Sequence, residues 1–161
     1  MSATATFHLL PVNTLDGVRS AAEPKKRFFG HAKDDYWGFV RLNGHTVAHY
    51  AWSGNVFLPL LGWLKDTRGI DFADGPYREL EKFLIEKRGS SLFLLTYEHK
   101  RKYLDLLDPS TVSIEELRDA YNAFEGTNEP DAGAPMLDGI KALHEALSSV
   151  SQDTVVLFTI G

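Results

Sequence analysis

The 161-residue sequence predicts a single α+β domain, in which a mixed sheet of four or five strands is covered by about five or six helices. Two strongly apolar runs of strand length occur late in the chain, at residues 91–97 and 154–160. An Asn43-Gly44 pair lies within residues 36–53 between β-branched and aromatic residues, the pattern of a β-hairpin with a type I′ turn. Several other segments repeat apolar residues at helical spacing.

The predicted strands can be assigned to places in the sheet. Pairing outward from the Asn-Gly turn places Trp37 opposite Tyr50 and collects aromatic side chains on one face of the hairpin. Residues 4–10 predict a first strand, because β-branched and aromatic residues are concentrated there and a proline follows. We expect the runs at residues 91–97 and 154–160 to lie inside the sheet, since both faces of each are apolar.

Capping signals and apolar stripes predict the helices. The clearest is the capping box formed by Ser113 and Glu116, which opens a helix that ends at Phe124. Its buried face should carry four apolar or aromatic residues, which are Leu117, Ala120, Tyr121 and Phe124. Further helices are predicted at residues 13–23, 55–66, 76–88, 96–107 and 136–149.

Composition and length favour one soluble globular domain covering residues 1–161. The chain has no cysteine, which excludes thiol nucleophiles, thiolate metal sites and disulfides and fits a reducing compartment. The longest apolar run, at residues 56–64, is about half as long as a transmembrane helix requires. The first residues also lack the pattern of a secretion signal. We therefore expect a cytoplasmic protein without a membrane span.

Charge is distributed unevenly along the chain. The net charge is −5, but residues 103–161 hold 2 Lys or Arg against 11 Asp or Glu, a balance of −9, whereas residues 1–102 carry +4. An acidic surface repels nucleic acid and attracts basic proteins, and it speeds association with them. A solvated surface without any partner is the alternative interpretation.

The acidic third of the chain predicts a non-enzymatic protein-binding domain that binds a basic protein partner, as an immunity protein binds its cognate toxin. If the helix that follows Ser113 presents its carboxylates to solvent, the loop after it continues the same negative surface. The candidate partner-binding residues are Glu115, Glu116, Asp119, Tyr121, Glu125, Glu129 and Asp131. Affinity would come from a few anchors that become buried on binding, with Tyr121 or Phe124 at the edge of the surface as the candidates.

The alternative is a small bacterial enzyme of unspecified substrate. His49 or another histidine would act as the general base, because the imidazole titrates near neutral pH. Asp35 would accompany His49 near the aromatic face of the predicted hairpin.

We predict no metal and no cofactor. His45 and His49 have the spacing of zinc ligands on a helix, but residues four apart in a strand are separated by roughly 13 Å, too far to share one ion. The sequence contains neither glycine-rich nucleotide-binding motifs nor the G-x-S-x-G motif of hydrolases. Basic clusters at residues 25–29 and 100–102 are interpreted as solvated charge rather than an RNA-binding patch, so no nucleic-acid partner is expected.

Three features carry a resemblance to a known family. They are the short N-terminal strand and helix, a D-x-x-W-x-F segment formed by Asp34, Trp37 and Phe39, and a late helix leading to an apolar strand that ends at Gly161. In these features the chain resembles the small bacterial proteins typified by YfbM. The resemblance implies an α+β domain and no activity, so it assigns no functional residues. It also implies a helical tryptophan segment, where the Asn-Gly pair predicts a hairpin.

Overall fold

The computed structural model describes residues 3–25 and 34–161. Within them the chain forms the strands β1 (Ala5–Pro11), β2 (His45–Ala48), β3 (Ser91–Leu95) and β4 (Thr154–Ile160). It also forms the helices α1 (Leu15–Ala22), α2 (Tyr36–Asn43), α3 (Phe57–Arg68), α4 (Arg78–Arg88), α5 (Tyr97–Tyr103), α6 (Ile114–Glu125) and α7 (Gly133–Ser149). The predicted α+β class is confirmed. Most of the basic cluster predicted at residues 25–29 lies outside the described residues, which resume at residue 34.

The four strands form one sheet with the order β2-β1-β4-β3, and all three pairings are antiparallel. The prediction of a mixed sheet is therefore wrong. β4 lies inside the sheet as predicted, and its residues from Val155 to Ile160 are buried. The prediction that β3 also lies inside the sheet is wrong, because it lies at the edge among the described strands. Helices on both faces of the sheet bury its apolar side chains there without a second neighbouring strand.

Helices cover both faces of the sheet. On one face, α3, α6 and α7 enclose a cluster that contains Phe7, Phe57 and Phe158. The rings of Phe7 and Phe158 stack with their centroids 4.6 Å apart, and Phe57 lies edge-on to Phe158 at 4.9 Å. On the other face, α1, α2 and α4 enclose a second cluster around Leu94 and Leu157. Helices α2 and α6 consequently lie on opposite faces of the sheet.

Residues 36–43 form helix α2, so the predicted hairpin is wrong. Tyr36 and Val40 lie one helical turn apart, and both are buried in the cluster of α1, α2 and α4. The side chain of Asp34 accepts a hydrogen bond from the N–H of Tyr36 at 3.1 Å at the start of the helix. Burial of two side chains on one helical face outweighs the local preference of an Asn-Gly pair for a turn.

The Asn-Gly pair ends helix α2 rather than turning a hairpin. Nδ2 of Asn43 donates to the carbonyl of Phe39 at 2.9 Å, and the N–H of Gly44 donates to the carbonyl of Val40 at 3.0 Å. Gly44 has extended backbone, with φ −141° and ψ −178°, so the position does not need a left-handed conformation. Glycine is required there because a Cβ atom would collide with the carbonyl oxygen of Leu9.

Most of the predicted helices are present, with local differences. Helix α6 follows Ser113 as predicted, but burial decreases along it, from fully buried Leu117 to half-buried Tyr121. Phe124, predicted to be buried in the last turn, is 60% exposed because the apolar stripe extends beyond the helices that cover it. The helix that begins after Thr96 ends at Tyr103, earlier than predicted. Within the described residues, no helix has both the length and the apolar character needed to span a membrane.

Candidate functional site

The acidic candidate residues lie mainly on helix α6. The hydroxyl of Ser113 accepts a hydrogen bond from the N–H of Glu116 at 3.1 Å, and this cap starts the helix. Leu117 is buried against the neighbouring helices and fixes which face of α6 points outward. Glu115 and Asp119, one turn apart, are therefore exposed on the outer side. Glu115, with Glu116, lies in the first turn, where negative charge suits the positive end of the helix dipole.

We use the name acidic surface for six exposed carboxylates on α6 and on the loop that follows it. These residues are Glu115, Glu116, Asp119, Glu125, Glu129 and Asp131. Within α6 one cation reduces the negative charge, because Arg118 donates to Asp119 at 2.8 Å through Nη2 and at 3.0 Å through Nε. The acidic surface is thus less uniform than the sequence predicts, but it retains a large excess of negative charge.

Asn122 holds the acidic loop against helix α6. Its Oδ1 accepts hydrogen bonds from the N–H of Glu129 at 2.8 Å and from the hydroxyl of Thr127 at 2.9 Å. Its Nδ2 donates to the carbonyl of Glu129 at 3.1 Å. One amide side chain therefore satisfies three groups of the loop and keeps the backbone of Glu129 beside the helix. A surface fixed in this way loses less conformational entropy when a partner binds.

Apolar side chains border the acidic surface. Phe124 is 60% exposed near the C-terminal end of α6, and Ile114 is 45% exposed at its first residue. Tyr121, a predicted contact residue, is half-buried and packs against the core on the inner side of the helix. The larger exposed apolar area is therefore supplied by Phe124, the other candidate anchor.

The predicted enzymatic pair is not brought together. His49 follows β2 and is exposed beside a shallow hollow at the edge of the sheet. Asp35 immediately precedes α2 and borders a separate groove between α1 and α2. Because α2 replaces the predicted hairpin strand, these two side chains border different cavities of the described part of the chain.

Other histidines differ in their surroundings. His99 is fully buried, its Nδ1 accepts from the N–H of Thr96 at 3.2 Å, and its Nε2 lies 3.0 Å from the carbonyl oxygen of Asp74. Both ring nitrogens are therefore occupied in the structural core. His8 borders a cavity, and burial, reinforced by the nearby Arg41 guanidinium, lowers the pKa of its imidazole.

That cavity has a volume of about 350 Å³ and lies between β1 and α2, and we call it the β1–α2 cavity. It was not predicted from the sequence. Its lining residues are Thr4, Thr6, His8, Trp37, Arg41, Ser90, Thr159 and Gly161. One signal was present in the sequence, because Thr6 and His8 alternate along β1 and place two polar residues on a single face of an interior strand, which Thr4 immediately precedes.

Comparison with known proteins finds no matching family model, no similar curated protein and no similar solved structure. The resemblance to the proteins typified by YfbM therefore stays a prediction. Among residues 3–25 and 34–161, no group of three or more histidine, aspartate or glutamate side chains is arranged to hold a metal ion.

Proposed function

We propose that this chain is a small cytoplasmic bacterial protein that binds a basic protein through its acidic surface, in the manner of an immunity protein that binds a toxin. The observation that carries the proposal is the loop held by Asn122, which fixes Glu129 beside the exposed carboxylates of α6. Exposed carboxylates without such an arrangement are common on soluble proteins, whereas a preorganised acidic surface next to an exposed aromatic ring is typical of a binding site.

The two parts of this surface would contribute differently to binding. The carboxylates attract a basic partner over a distance and orient it, which raises the association rate more than the final affinity. Affinity arises mainly from a few side chains that become fully buried at the centre of an interface, and aromatic residues are frequent among them. Phe124 is the best placed, because it is large, exposed and adjacent to Glu125.

The geometry gives less support to an enzyme built on His49 and Asp35. A general base has to lie within hydrogen-bonding distance of its substrate's proton in a defined site. His49 is exposed beside a hollow of about 550 Å³ that Asp35 does not line, and Asp35 borders another groove, so the two residues do not define one site.

Capture of partners from a lysate of the source cell tests the proposal with three baits. The first bait is the unaltered chain, and the second combines Glu115→Lys, Glu116→Lys and Asp119→Lys. The control bait combines Glu23→Lys, Glu79→Lys and Glu86→Lys, three exposed carboxylates associated with the helices on the opposite face of the sheet. Both variants undergo the same change in net charge, so they separate a local surface from a general charge effect.

We expect the unaltered and control baits to capture the same basic protein, and the α6 variant to capture at least tenfold less of it. Reversing three charges replaces attraction by repulsion at the proposed surface alone. Equal capture of that protein by all three baits, or the absence of any basic protein from the captured material, would overturn the proposal. Circular dichroism of each bait before use confirms that the comparison is made between folded proteins.

A further inference from the structure

We infer that the β1–α2 cavity is a binding site for a small phosphate monoester that carries a planar organic group. The phosphate would be bound by Arg41 and by the threonine hydroxyls of the sheet, and the planar group would lie against Trp37. This site is independent of the proposed partner surface, because α2 and α6 lie on opposite faces of the sheet.

Unsatisfied polar atoms in the wall of the cavity are the first observation. Thr6 and Thr159 lie directly opposite each other in the pairing of β1 with β4. The Oγ1 atoms of both residues are buried, and neither has a hydrogen-bond partner among the described residues; the same holds for Nδ1 of His8. Thr159 is only 5% exposed. Such groups are rare in folded proteins, since each lost hydrogen bond is costly, and a ligand can supply the missing partners.

Helix α2 supplies the second observation. Trp37 and Arg41 are four residues apart on this helix, so they lie on one face one turn apart, and both line the cavity. The ring of Trp37 lies 5.9 Å from the imidazole of His8 between centroids, which brings the helix close to the polar face of β1. In the predicted hairpin, the same two side chains would have been roughly 13 Å apart along a strand.

The lining residues determine the class of ligand. Arg41 is the only formally charged side chain among the described residues that line the cavity, and it makes no ion pair with another described residue. A guanidinium recognises phosphate through paired hydrogen bonds, and the hydroxyls of Thr6, Thr159 and Ser90 offer further donors. Three terminal phosphate oxygens can accept more of these donors than the two oxygens of a carboxylate. The volume of about 350 Å³ falls within the range of small-molecule sites.

Thermal unfolding and isothermal calorimetry of the full chain test this inference with phenyl phosphate as the probe. A ligand that binds only the folded state raises the free energy of unfolding by RT ln(1 + [L]/Kd), so the midpoint of unfolding keeps rising with ligand concentration, and calorimetry shows whether the site saturates. We expect saturable binding of phenyl phosphate in calorimetry, and a rise in the midpoint of unfolding that exceeds the rise caused by inorganic phosphate or by phenol at the same concentration. Benzoate provides the carboxylate comparison and should bind at least several-fold more weakly.

Two variants and their controls locate the site. Thr159→Val removes a hydroxyl with little change of shape, so the unliganded protein should unfold at the same temperature or higher. The response to phenyl phosphate, which is the rise in the midpoint of unfolding that it causes, should be at least fivefold smaller. Arg41→Gln should reduce the response similarly. Thr46→Val on β2 and Arg78→Gln on α4 change the same residue types outside the cavity, and both should respond as the unaltered protein does.

Three results would overturn the inference. The first is the absence of saturable binding of phenyl phosphate to the unaltered protein. The second is a response that persists in both Thr159→Val and Arg41→Gln, which would place any binding elsewhere. The third is equal or tighter binding of phenol or benzoate, which would contradict recognition of a phosphate group.

Discussion

Replacing Phe158 by alanine is expected to lower the free energy of unfolding by about 3–5 kcal/mol, the range found when a buried phenylalanine is truncated. Phe158 is fully buried in β4, and its ring contacts those of Phe7, Phe57 and Phe93 at centroid distances of 4.6, 4.9 and 5.7 Å. The substitution removes apolar burial and leaves a cavity where strands β1, β3 and β4 meet helix α3. Urea unfolding monitored by circular dichroism measures the difference.

Phe124→Ala is the matched control for this substitution. It removes the same side chain from a position that is 60% exposed, where a change within about 0.5 kcal/mol is expected. A loss below about 1 kcal/mol for Phe158→Ala, or similar losses for both variants, would contradict the position of β4 inside the sheet.

Glu81 is expected to make stability depend on pH. Its side chain is buried, and Oε1 accepts a hydrogen bond from the N–H of Leu94 at 2.6 Å. Burial raises the pKa of this carboxyl to about 7, although the hydrogen bond from Leu94 and the charge of Arg78 oppose the shift. The folded protein thus binds the proton more tightly than the unfolded chain, whose Glu81 has the ordinary pKa of 4.5.

The sign of the effect follows from this difference. Stability from protonated Glu81 is fully present below pH 4.5, decreases as the pH rises, and is lost above about pH 7. A shift from 4.5 to about 7 corresponds to about 3 kcal/mol. The free energy of unfolding of Glu81→Gln, taken relative to that of the unaltered protein, should therefore increase by up to about 3 kcal/mol as the pH rises from 4.5 to 8. Urea unfolding at several pH values measures this gain.

Two histidines also make stability depend on pH, so Glu81→Gln has to be compared with the unaltered protein at each pH. Burial lowers the pKa of both His8 and His99, so their contributions to stability increase as the pH rises through their titration range and oppose the Glu81 effect. Both histidines are retained in Glu81→Gln, and their contributions cancel in the difference. Glu79→Gln, on the exposed side of the same helix, serves as the control. The hydrogen bond from Lys82 lowers the pKa of Glu79, so the pH dependence that this substitution removes lies mainly below pH 4.5, and its free energy of unfolding should run parallel to that of the unaltered protein at higher pH. If the difference in the free energy of unfolding between Glu81→Gln and the unaltered protein were the same at every pH, this would contradict a buried, protonated carboxyl at Glu81.

Sequence reasoning succeeded where the local signal and the tertiary structure agree. The apolar run at residues 154–160 predicted an interior strand, and a sheet covered on both faces needs such a strand. Ser113 predicted the start of α6 because a cap depends only on neighbouring residues. The Asn-Gly pair misled because turn propensity is a weak preference, whereas burial of Tyr36 and Val40 is a tertiary effect that no short window contains.

The candidate sites differ in how far the sequence could predict them. The charge balance identified the acidic residues, but it could not show that Asn122 holds the loop or that Phe124 is exposed. The β1–α2 cavity combines residues from both ends of the chain, such as Thr6 and Thr159, with Arg41 from the mispredicted segment. Its recognition required the strand pairing and the helical conformation of α2 together.

Partner binding through the acidic surface is tested most directly by the association rate constant measured at increasing salt concentration with the captured partner. The unaltered protein should associate at least tenfold more slowly when salt rises from about 50 to about 500 mM, because screening then acts within a few ångströms. The Glu115→Lys, Glu116→Lys, Asp119→Lys variant should associate slowly at low salt, whereas Phe124→Ala should mainly raise the dissociation rate. An association rate that is independent of salt and equal in the unaltered and charge-reversed proteins would contradict binding through this surface.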